Sequence, residues 1–221
     1  MKIYKMPQDL KAIFFDIDGT LYTSAEYVAE QVDIQVRHFA HIQKIPEDEM
    51  RRKIREWRRA WSKEHGGKSI SLGNTLTAFG VPIEKSIEWR NTLLQPEKYL
   101  CKNQNLIDSL LELNQKYKLI CITNNPVDAA RKTLKAVGIE KIITDIIGLD
   151  TCMKSKPDAE MLYEASRVTG VPLANSLSVG DRYDIDLALP LELGMGGILV
   201  SGVEEVYELP QILQSAAEPS L

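Results

Sequence analysis

Short apolar runs recur along the chain, and most of them alternate with amphipathic stretches that have the period of a helix. The apolar runs occupy residues 12–15, 119–122, 142–148, 177–179 and 198–200. The helical patterns between the later runs occupy residues 105–117, 127–137, 158–169 and 186–193. Continuous apolar runs of this length are typical of strands buried on both faces of a parallel sheet. The alternation therefore predicts an α/β fold whose parallel strands are joined by right-handed helical crossovers.

Residues 21–100 interrupt this alternation, because they contain helical patterns and no convincing strand. The predicted helices cover residues 25–43, 47–64, 72–79 and 84–93. About eighty residues are far more than one crossover between neighbouring parallel strands requires. We therefore predict an inserted helical subdomain between the first and second strands of the sheet.

Composition narrows the class of protein. The chain has 221 residues, of which 44% are hydrophobic and 26% charged, as in an ordinary globular protein. Its net charge of −4 argues against binding to nucleic acid polymers or anionic membranes. No apolar stretch approaches the ~20 residues of a membrane span, and the first ten residues do not resemble a signal peptide. Three widely spaced cysteines favour a reducing compartment, so we expect a cytoplasmic protein, with its oligomeric state left open.

The first apolar run ends in two aspartates, within the segment AIFFDIDGT at residues 12–20. Asp16 stands at the carboxyl end of the predicted strand, where ligands bind in open α/β sheets. Because side chains alternate along an extended chain, Asp16 and Asp18 point the same way and can face one pocket. Gly19 allows a close backbone approach or a positive φ. An ordinary turn is the simpler alternative, since Asp and Gly are both favoured in turns.

A second strand end carries residues suited to a phosphate group. Thr123, Asn124 and Asn125 follow the run at 119–122 and precede a predicted helix. A hydroxyl group with backbone N–H groups at a helix entrance makes a natural phosphate contact. A plain helix start is the alternative, with Asn125 as the N-cap and Pro126 at the first helical position.

Lysine and aspartate residues form two further candidate motifs along the chain. Lys156 stands directly before a proline and the helix at 158–169, and Lys154 is the competing candidate. The run at 177–179 leads to Gly180 and Asp181, and two more acids, Asp184 and Asp186, follow. A hard cation such as Mg²⁺ takes oxygen ligands and usually one or two protein carboxylates. Asp184 has the alternative role of starting or flanking the next helix.

These four motifs resemble those of the haloacid dehalogenase superfamily, because they occur in this order and each stands at a predicted strand end. Most members of that superfamily are magnesium-dependent phosphatases that form an aspartyl phosphate. The resemblance implies a Rossmann-like parallel sheet core over residues 1–21 and 101–221, with an inserted α-helical cap domain over residues 22–100. In the superfamily, such a cap closes over the active site and selects the substrate.

The resemblance also assigns a role to each motif. Asp16 is expected to attack phosphorus, and Asp18 to protonate the leaving alcohol and later deprotonate water. Mg²⁺ is expected to be bound by the Asp16 and Asp181 carboxylates and the Asp18 backbone carbonyl. The family spacing favours Asp186 over Asp184 as a further acid that contacts the metal through water or orients the metal site. The expected phosphate-binding residues are Thr123, Asn124 and Lys156.

Other activities of the same fold remain as alternatives. A phosphotransferase or phosphosugar mutase would keep both aspartates, whereas dehalogenases typically lack the second acid. A response-regulator receiver also uses Asp, Mg²⁺ and Lys, but its phosphoacceptor ends the third strand. Finer features resemble the pyrimidine 5′-nucleotidase branch, which makes a nucleoside monophosphate one candidate for the small phosphorylated substrate. These features are the segments LYTS at 21–24, GNTL at 73–76 and PEKYL at 96–100.

The predicted cap contains a basic stretch at residues 51–68. It contains eight lysines and arginines and only two glutamates, Glu56 and Glu64. A solvated helix face is the simpler interpretation, and a patch that attracts an anionic substrate is the functional one. Trp57 and Trp61 lie at helical spacing and are expected to pack into the cap core. The three histidines all fall in the cap, so none is expected to be catalytic.

Overall fold

The computed structural model describes residues 1–68 and 70–217, and the chain divides into two compact units. One unit contains Met1–Ser24 and the chain from Pro96 onward, and the other contains Ala25–Gln95. The first unit is built around a sheet, and the second contains only helices among its described residues. The strands are β1 (Lys2–Lys5), β2 (Ala12–Phe15), β3 (Lys118–Ile122), β4 (Asp145–Ile147), β5 (Ser176–Gly180) and β6 (Gly196–Leu199).

Within the described residues these strands form one sheet in the order β1-β6-β5-β2-β3-β4. Strands β2 and β5 are buried along their whole length, as expected for central strands covered on both faces. The pairs β2–β3, β2–β5, β3–β4 and β5–β6 are parallel, which confirms the predicted α/β class. The sheet is not entirely parallel, because β1 adds an antiparallel edge strand beside β6.

The helical unit Ala25–Gln95 has its own hydrophobic core. Its helices are α1 (Ala25–Gln43), α2 (Glu47–Glu64), α3 (Leu72–Ala78) and α4 (Ile83–Leu93). Phe39 is buried at its centre, with its ring 6.2 Å from the rings of both Phe79 and Trp89. The bounds of these four helices agree with those predicted from the helix periodicity of the sequence to within one residue at each end.

The first residues of the basic stretch in α2 are engaged with acids of the same unit. Arg51 pairs with Asp33, with 2.7 Å between Arg51 Nε and Asp33 Oδ1, and Lys53 pairs with Glu49 at 2.8 Å. Trp57 meets Phe79 edge-on, whereas Trp61 stacks on His65 with 3.9 Å between the ring centroids. Arg51 and Lys53 therefore belong to ion pairs between and within helices, as basic residues of a solvated helix face do.

Helices cover the sheet in the first unit. They are α5 (Gln104–Asn114), α6 (Val127–Val137), α7 (Leu149–Cys152), α8 (Ala159–Thr169), α9 (Ala188–Glu192), α10 (Val203–Val206) and α11 (Leu209–Ala217). Two side chains of α8, Met161 and Leu162, pack with Phe14 and Ile120 of the sheet. The bounds of α6 agree with the sequence prediction. No helix in the described part of the chain is long and apolar enough to cross a membrane.

Candidate active site

Three neighbouring strands end side by side and carry the candidate residues on the loops that follow them. The register pairs Phe15 of β2 with Cys121 of β3 and with Val179 of β5. The backbone N–H of Asp16 donates to the Val179 carbonyl at 2.9 Å, so the ladder continues to the first aspartate. Similarly, the N–H of Thr123 donates to the Ile147 carbonyl at 2.9 Å. The backbone of the sheet therefore fixes the starting points of these side chains.

Asp16 is a deeply buried acid of the site. Only 4% of the residue is exposed, and its carboxylate accepts a charge-assisted hydrogen bond from the ammonium group of Lys156. Burial raises the pKa of Asp16 to about 7, and Asp186 and Asp18 contribute in the same direction against the opposing effect of Lys156. The ionised carboxylate is therefore held in an environment that solvates it poorly.

Lys156 joins two of the acids. Its Nζ contacts Asp16 and lies 2.7 Å from Oδ1 of Asp186, and 8% of its side chain is exposed. Burial lowers the pKa of Lys156, but Asp16 and Asp186 together raise it above its ordinary value. The neighbouring candidate Lys154 is exposed. The geometry thus selects Lys156 as the lysine that faces the aspartates.

Asn124 holds the backbone of Lys156. Its Oδ1 accepts from the Lys156 N–H at 2.6 Å, and its Nδ2 donates to the Lys156 carbonyl at 3.4 Å. A side-chain amide that is hydrogen-bonded to both backbone groups of one residue fixes the loop on which the lysine stands. The geometry therefore favours a positioning role for the Asn124 side chain over the direct phosphate contact that the sequence suggests.

Asp181 and Asp186 complete an acidic cluster with Asp16. One carboxylate oxygen from each of the three residues lies within 4.8 Å of the others. The Oδ1 atom of Asp181 is buried and has no hydrogen-bond partner, and its ion pair with Arg182, at 3.6 Å, involves a side chain that is 50% exposed. Burial and the nearby Asp186 raise the pKa of Asp181, with Arg182 opposing them. A buried carboxylate oxygen without a donor is costly, so this cluster fits a hard divalent cation.

Two glycines allow the acids to approach each other. Gly19 has a φ of +83°, and a Cβ atom there would lie 2.5 Å from Oδ2 of Asp181. A Cβ atom on Gly180 would lie 2.3 Å from the Cβ of Asp186. Real Cβ contacts of this length do not occur, so any other residue would push the acidic side chains away.

A π-helical turn over Tyr183–Leu187 places Asp186 in the cluster. The Asp186 side chain accepts from the N–H of Arg182 at 3.0 Å, and its carbonyl accepts from the Ser178 hydroxyl at 2.8 Å. Asp186 is 3% exposed, whereas Asp184 is exposed. Of the two acids that the sequence offered, Asp186 is therefore the one that joins the site. Single π turns of this kind are frequent at functional sites.

Two side chains that the sequence analysis did not select contact Asp18. Nδ2 of Asn125 donates to Oδ2 of Asp18 at 2.8 Å, and the Tyr22 hydroxyl donates to Oδ1 of Asp18. The alternative in which Asn125 is the N-cap is wrong, because α6 begins at Val127 with Pro126 as its N-cap. Asp150 accepts from the Val127 N–H at 2.9 Å instead. An asparagine that does not cap its helix could not be recognised from local sequence.

Thr123 lies at the centre of the same strand ends. It is fully buried, and its Oγ1 accepts from the backbone N–H of Asn125 at 3.1 Å. A threonine hydroxyl that accepts one hydrogen bond can still donate its own hydrogen. The structure thus brings the predicted residues to one edge of the sheet, with Asn124 and Lys156 held on the adjoining loops.

Comparison with known proteins identifies the family of the chain. The model of the haloacid dehalogenase-like hydrolase family matches residues 10–191, which is most of the chain. The glyceraldehyde 3-phosphate phosphatase of Methanothermobacter thermautotrophicus is 27% identical over 205 residues, covering 87% of this chain and 86% of the relative. A phosphoglycolate phosphatase of Pseudomonas syringae is 28% identical over 190 residues, covering 80% of this chain and 65% of the relative.

Solved structures share the fold. A HAD phosphatase from Thermococcus onnurineus superposes with a TM-score of 0.64 at 22% identity, covering 92% of this chain and 98% of that one. A predicted phosphoglycolate phosphatase from Haemophilus somnus gives a TM-score of 0.60 at 20% identity, covering 95% of this chain and 100% of that one. The expected fold, superfamily and enzyme class are confirmed. The chain belongs to the haloacid dehalogenase-like hydrolase family.

Proposed function

We propose that this protein is a magnesium-dependent phosphatase that hydrolyses a small phosphomonoester through an aspartyl phosphate on Asp16. The observation that carries the proposal is the arrangement of one buried carboxylate between a lysine and a second acid. Asp16 contacts Lys156, and the adjacent Asp181 has a buried oxygen without a hydrogen-bond donor. This arrangement offers a nucleophile together with the positive charges that an anionic phosphate requires.

The reaction consists of two displacements at phosphorus. An oxygen of Asp16 forms a bond to phosphorus while the ester bond to the leaving alcohol breaks, and Asp18 gives its proton to the departing oxygen. Asp18 then removes a proton from water as the water oxygen attacks phosphorus and the Asp16–phosphorus bond breaks. The products are the alcohol and inorganic phosphate, and both aspartates regain their starting states.

The proposed metal site comprises the carboxylates of Asp16 and Asp181 and the backbone carbonyl of Asp18. When bound, Mg²⁺ offsets the repulsion between the nucleophile and the phosphate and stabilises negative charge in the transition state. Asp186, which is bonded to Lys156 and to the Arg182 N–H, orients the lysine beside this site. Lys156 and the Thr123 hydroxyl are proposed to bind the phosphoryl oxygens.

The substrate is proposed to be a small phosphorylated metabolite. Relatives are named for glyceraldehyde 3-phosphate and phosphoglycolate, which are both phosphate monoesters. We propose that the helical unit Ala25–Gln95 is the cap that selects among such esters. Three cysteines without a disulfide, Cys101, Cys121 and Cys152, favour a reducing cytoplasm as the compartment.

A phosphate-release assay over a panel of substrates tests this proposal. The panel contains nucleoside monophosphates, phosphoglycolate, glyceraldehyde 3-phosphate and sugar phosphates, each assayed with Mg²⁺ and with a chelator. We expect turnover that requires Mg²⁺ and is abolished by Asp16→Asn, while Asp184→Asn, which changes an exposed acid of the π turn after β5, retains it. Turnover by Asp16→Asn, or release that is indifferent to the chelator, would overturn the mechanism. An isomerised sugar phosphate without free phosphate would identify a mutase.

A further inference from the structure

Both oxygens of the Asp18 carboxylate accept hydrogen bonds from side chains of different segments. The Asn125 amide donates to Oδ2 at 2.8 Å, and the Tyr22 hydroxyl donates to Oδ1. One donor on each oxygen fixes the plane of a carboxyl group as well as its rotamer. Asp18 follows the central strand, whereas Asn125 lies 107 residues away in sequence, on the loop after β3.

Asn125 is itself held firmly. Its backbone N–H donates to the Thr123 hydroxyl at 3.1 Å, and its carbonyl accepts from the Leu149 N–H at 3.0 Å. A Cβ atom on Gly148 would lie 2.8 Å from that carbonyl oxygen, so the loop after β4 packs directly on Asn125. These contacts aim the amide at Asp18.

Tyr22 is held by a different part of the structure. Only 3% of it is exposed, and its backbone forms a bridge with that of Asp18. Its ring therefore packs in the core while its hydroxyl reaches the carboxylate. Two rigid donors on one acid are more than a solvated turn aspartate requires.

We propose that Asn125 and Tyr22 are positioning residues that orient the Asp18 carboxyl group for proton transfer to the leaving oxygen. The inference rests on the proposed function, because it needs Asp18 to act as the acid. Proton transfer matters for an alkoxide, which is a poor leaving group, and matters little for a nitrophenolate, which leaves without a proton. Loss of a positioning residue should therefore affect the two kinds of ester unequally.

The test compares kcat/KM for the alkyl phosphate turned over fastest in the panel with kcat/KM for 4-nitrophenyl phosphate. This ratio of constants reports steps only up to formation of the aspartyl phosphate, so slow hydrolysis of that intermediate does not mask the effect. For Asn125→Ala we expect a loss of roughly 10–100-fold on the alkyl phosphate and less than about 3-fold on the nitrophenyl ester. Asn105→Ala, at an exposed position of α5, is the matched control and should change neither value.

Tyr22→Phe removes a single oxygen atom and provides a second variant if Asn125→Ala fails to fold. The same unequal loss is expected, because the change removes the donor to Oδ1 and keeps the ring. Equal losses on both esters, or no loss, would overturn the positioning role while leaving the proposed phosphatase activity intact. If the wild-type protein turned over neither ester, the proposed function would fail, and the inference with it.

Discussion

Asp16 carries a negative charge that its buried position accommodates poorly. Its pKa is about 7 in the folded chain against an ordinary 3.8, mainly because it is buried. Between these pH values the folded chain binds a proton that the unfolded chain has lost, so stability falls as pH rises. The resulting loss in the free energy of unfolding is complete above pH 7. It reaches a few kcal/mol, at about 1.4 kcal/mol per pH unit.

Asp16→Asn should therefore stabilise the metal-free protein, since the amide keeps the shape of the side chain and an acceptor for Lys156. The expected gain in the free energy of unfolding is small near pH 5 and largest at pH 8. Urea unfolding with a chelator at both pH values measures it, with Asp184→Asn as the control at an exposed acid. A loss of stability at pH 8 would contradict the conclusion that the charge of Asp16 destabilises the folded chain.

Lys156 stabilises the acidic cluster that the charge of Asp16 destabilises. It is the cation that contacts both Asp16 and Asp186, and all three side chains are at least nine-tenths buried. Lys156→Met would leave the two carboxylates facing each other, and removing one partner of a buried ion pair costs about 3–5 kcal/mol. We expect thermal unfolding to show this loss, while Lys154→Met, two residues away and exposed, causes almost none. Equal stability of the two variants would show that Lys156 does not compensate the acids.

At the scale of the elements, the end of β5 and the π turn after it determine the position of Asp186. Gly180 gives this turn its room, because an added Cβ would lie 2.3 Å from Asp186 Cβ. Gly180→Ala should therefore displace Asp186 from Lys156 and weaken Mg²⁺ binding about 10-fold or more, as disturbing the residues that support metal ligands often does. Isothermal titration with Mg²⁺ measures this change.

Gly170→Ala is the matched control for that substitution. Gly170 ends α8 with a φ of +66° and has no atom within 4 Å of an added Cβ. Alanine there strains the backbone and costs about 1 kcal/mol of stability without touching the site. Similar Mg²⁺ affinities for the two variants would mean that the close contact at Gly180 does not position the acid.

The apolar runs of the sequence predict the central strands, but the pattern misses the exposed strand β1 and the helices α7, α10 and α11. The apolar runs locate β2 and β5 because strands covered on both faces need continuous hydrophobic side chains. Strand β1, KIYK, is exposed along its length and carries no such signal. Its pairing with β6 joins residues almost two hundred positions apart, which local pattern does not encode.

The same distinction applies to the candidate site. Asp16, Thr123 and Asp181 can be located from the sequence, because each follows the apolar run of its own strand. The contact of Asn125 with Asp18 depends on the parallel register of β2 and β3, which brings together loops 107 residues apart. The sequence favours Lys156 over Lys154 because Lys156 abuts Pro157, and it favours Asp186 over Asp184 by the family spacing. Burial in the fold provides the physical reason for both choices.

At the scale of the whole molecule, the described residues of the helical unit and of the sheet unit include hydrophobic cores that share no residue. Phe39 is 3% exposed in the core of the helical unit, and Leu162 is 5% exposed in the core beneath the sheet. Truncating either to alanine removes a large buried side chain and should cost about 2–5 kcal/mol, by lost burial and the cavity left behind. Because each compact unit has its own core, we expect calorimetry to resolve two unfolding transitions.

Each truncation should then act on one transition only. Phe39→Ala should lower the melting temperature of the helical unit, and Leu162→Ala that of the sheet unit. Mg²⁺ binds the proposed site in the sheet unit, so it should raise the Leu162-sensitive transition by mass action and leave the Phe39-sensitive one in place. A single transition that both substitutions lower and Mg²⁺ raises would instead show that the two units unfold as one.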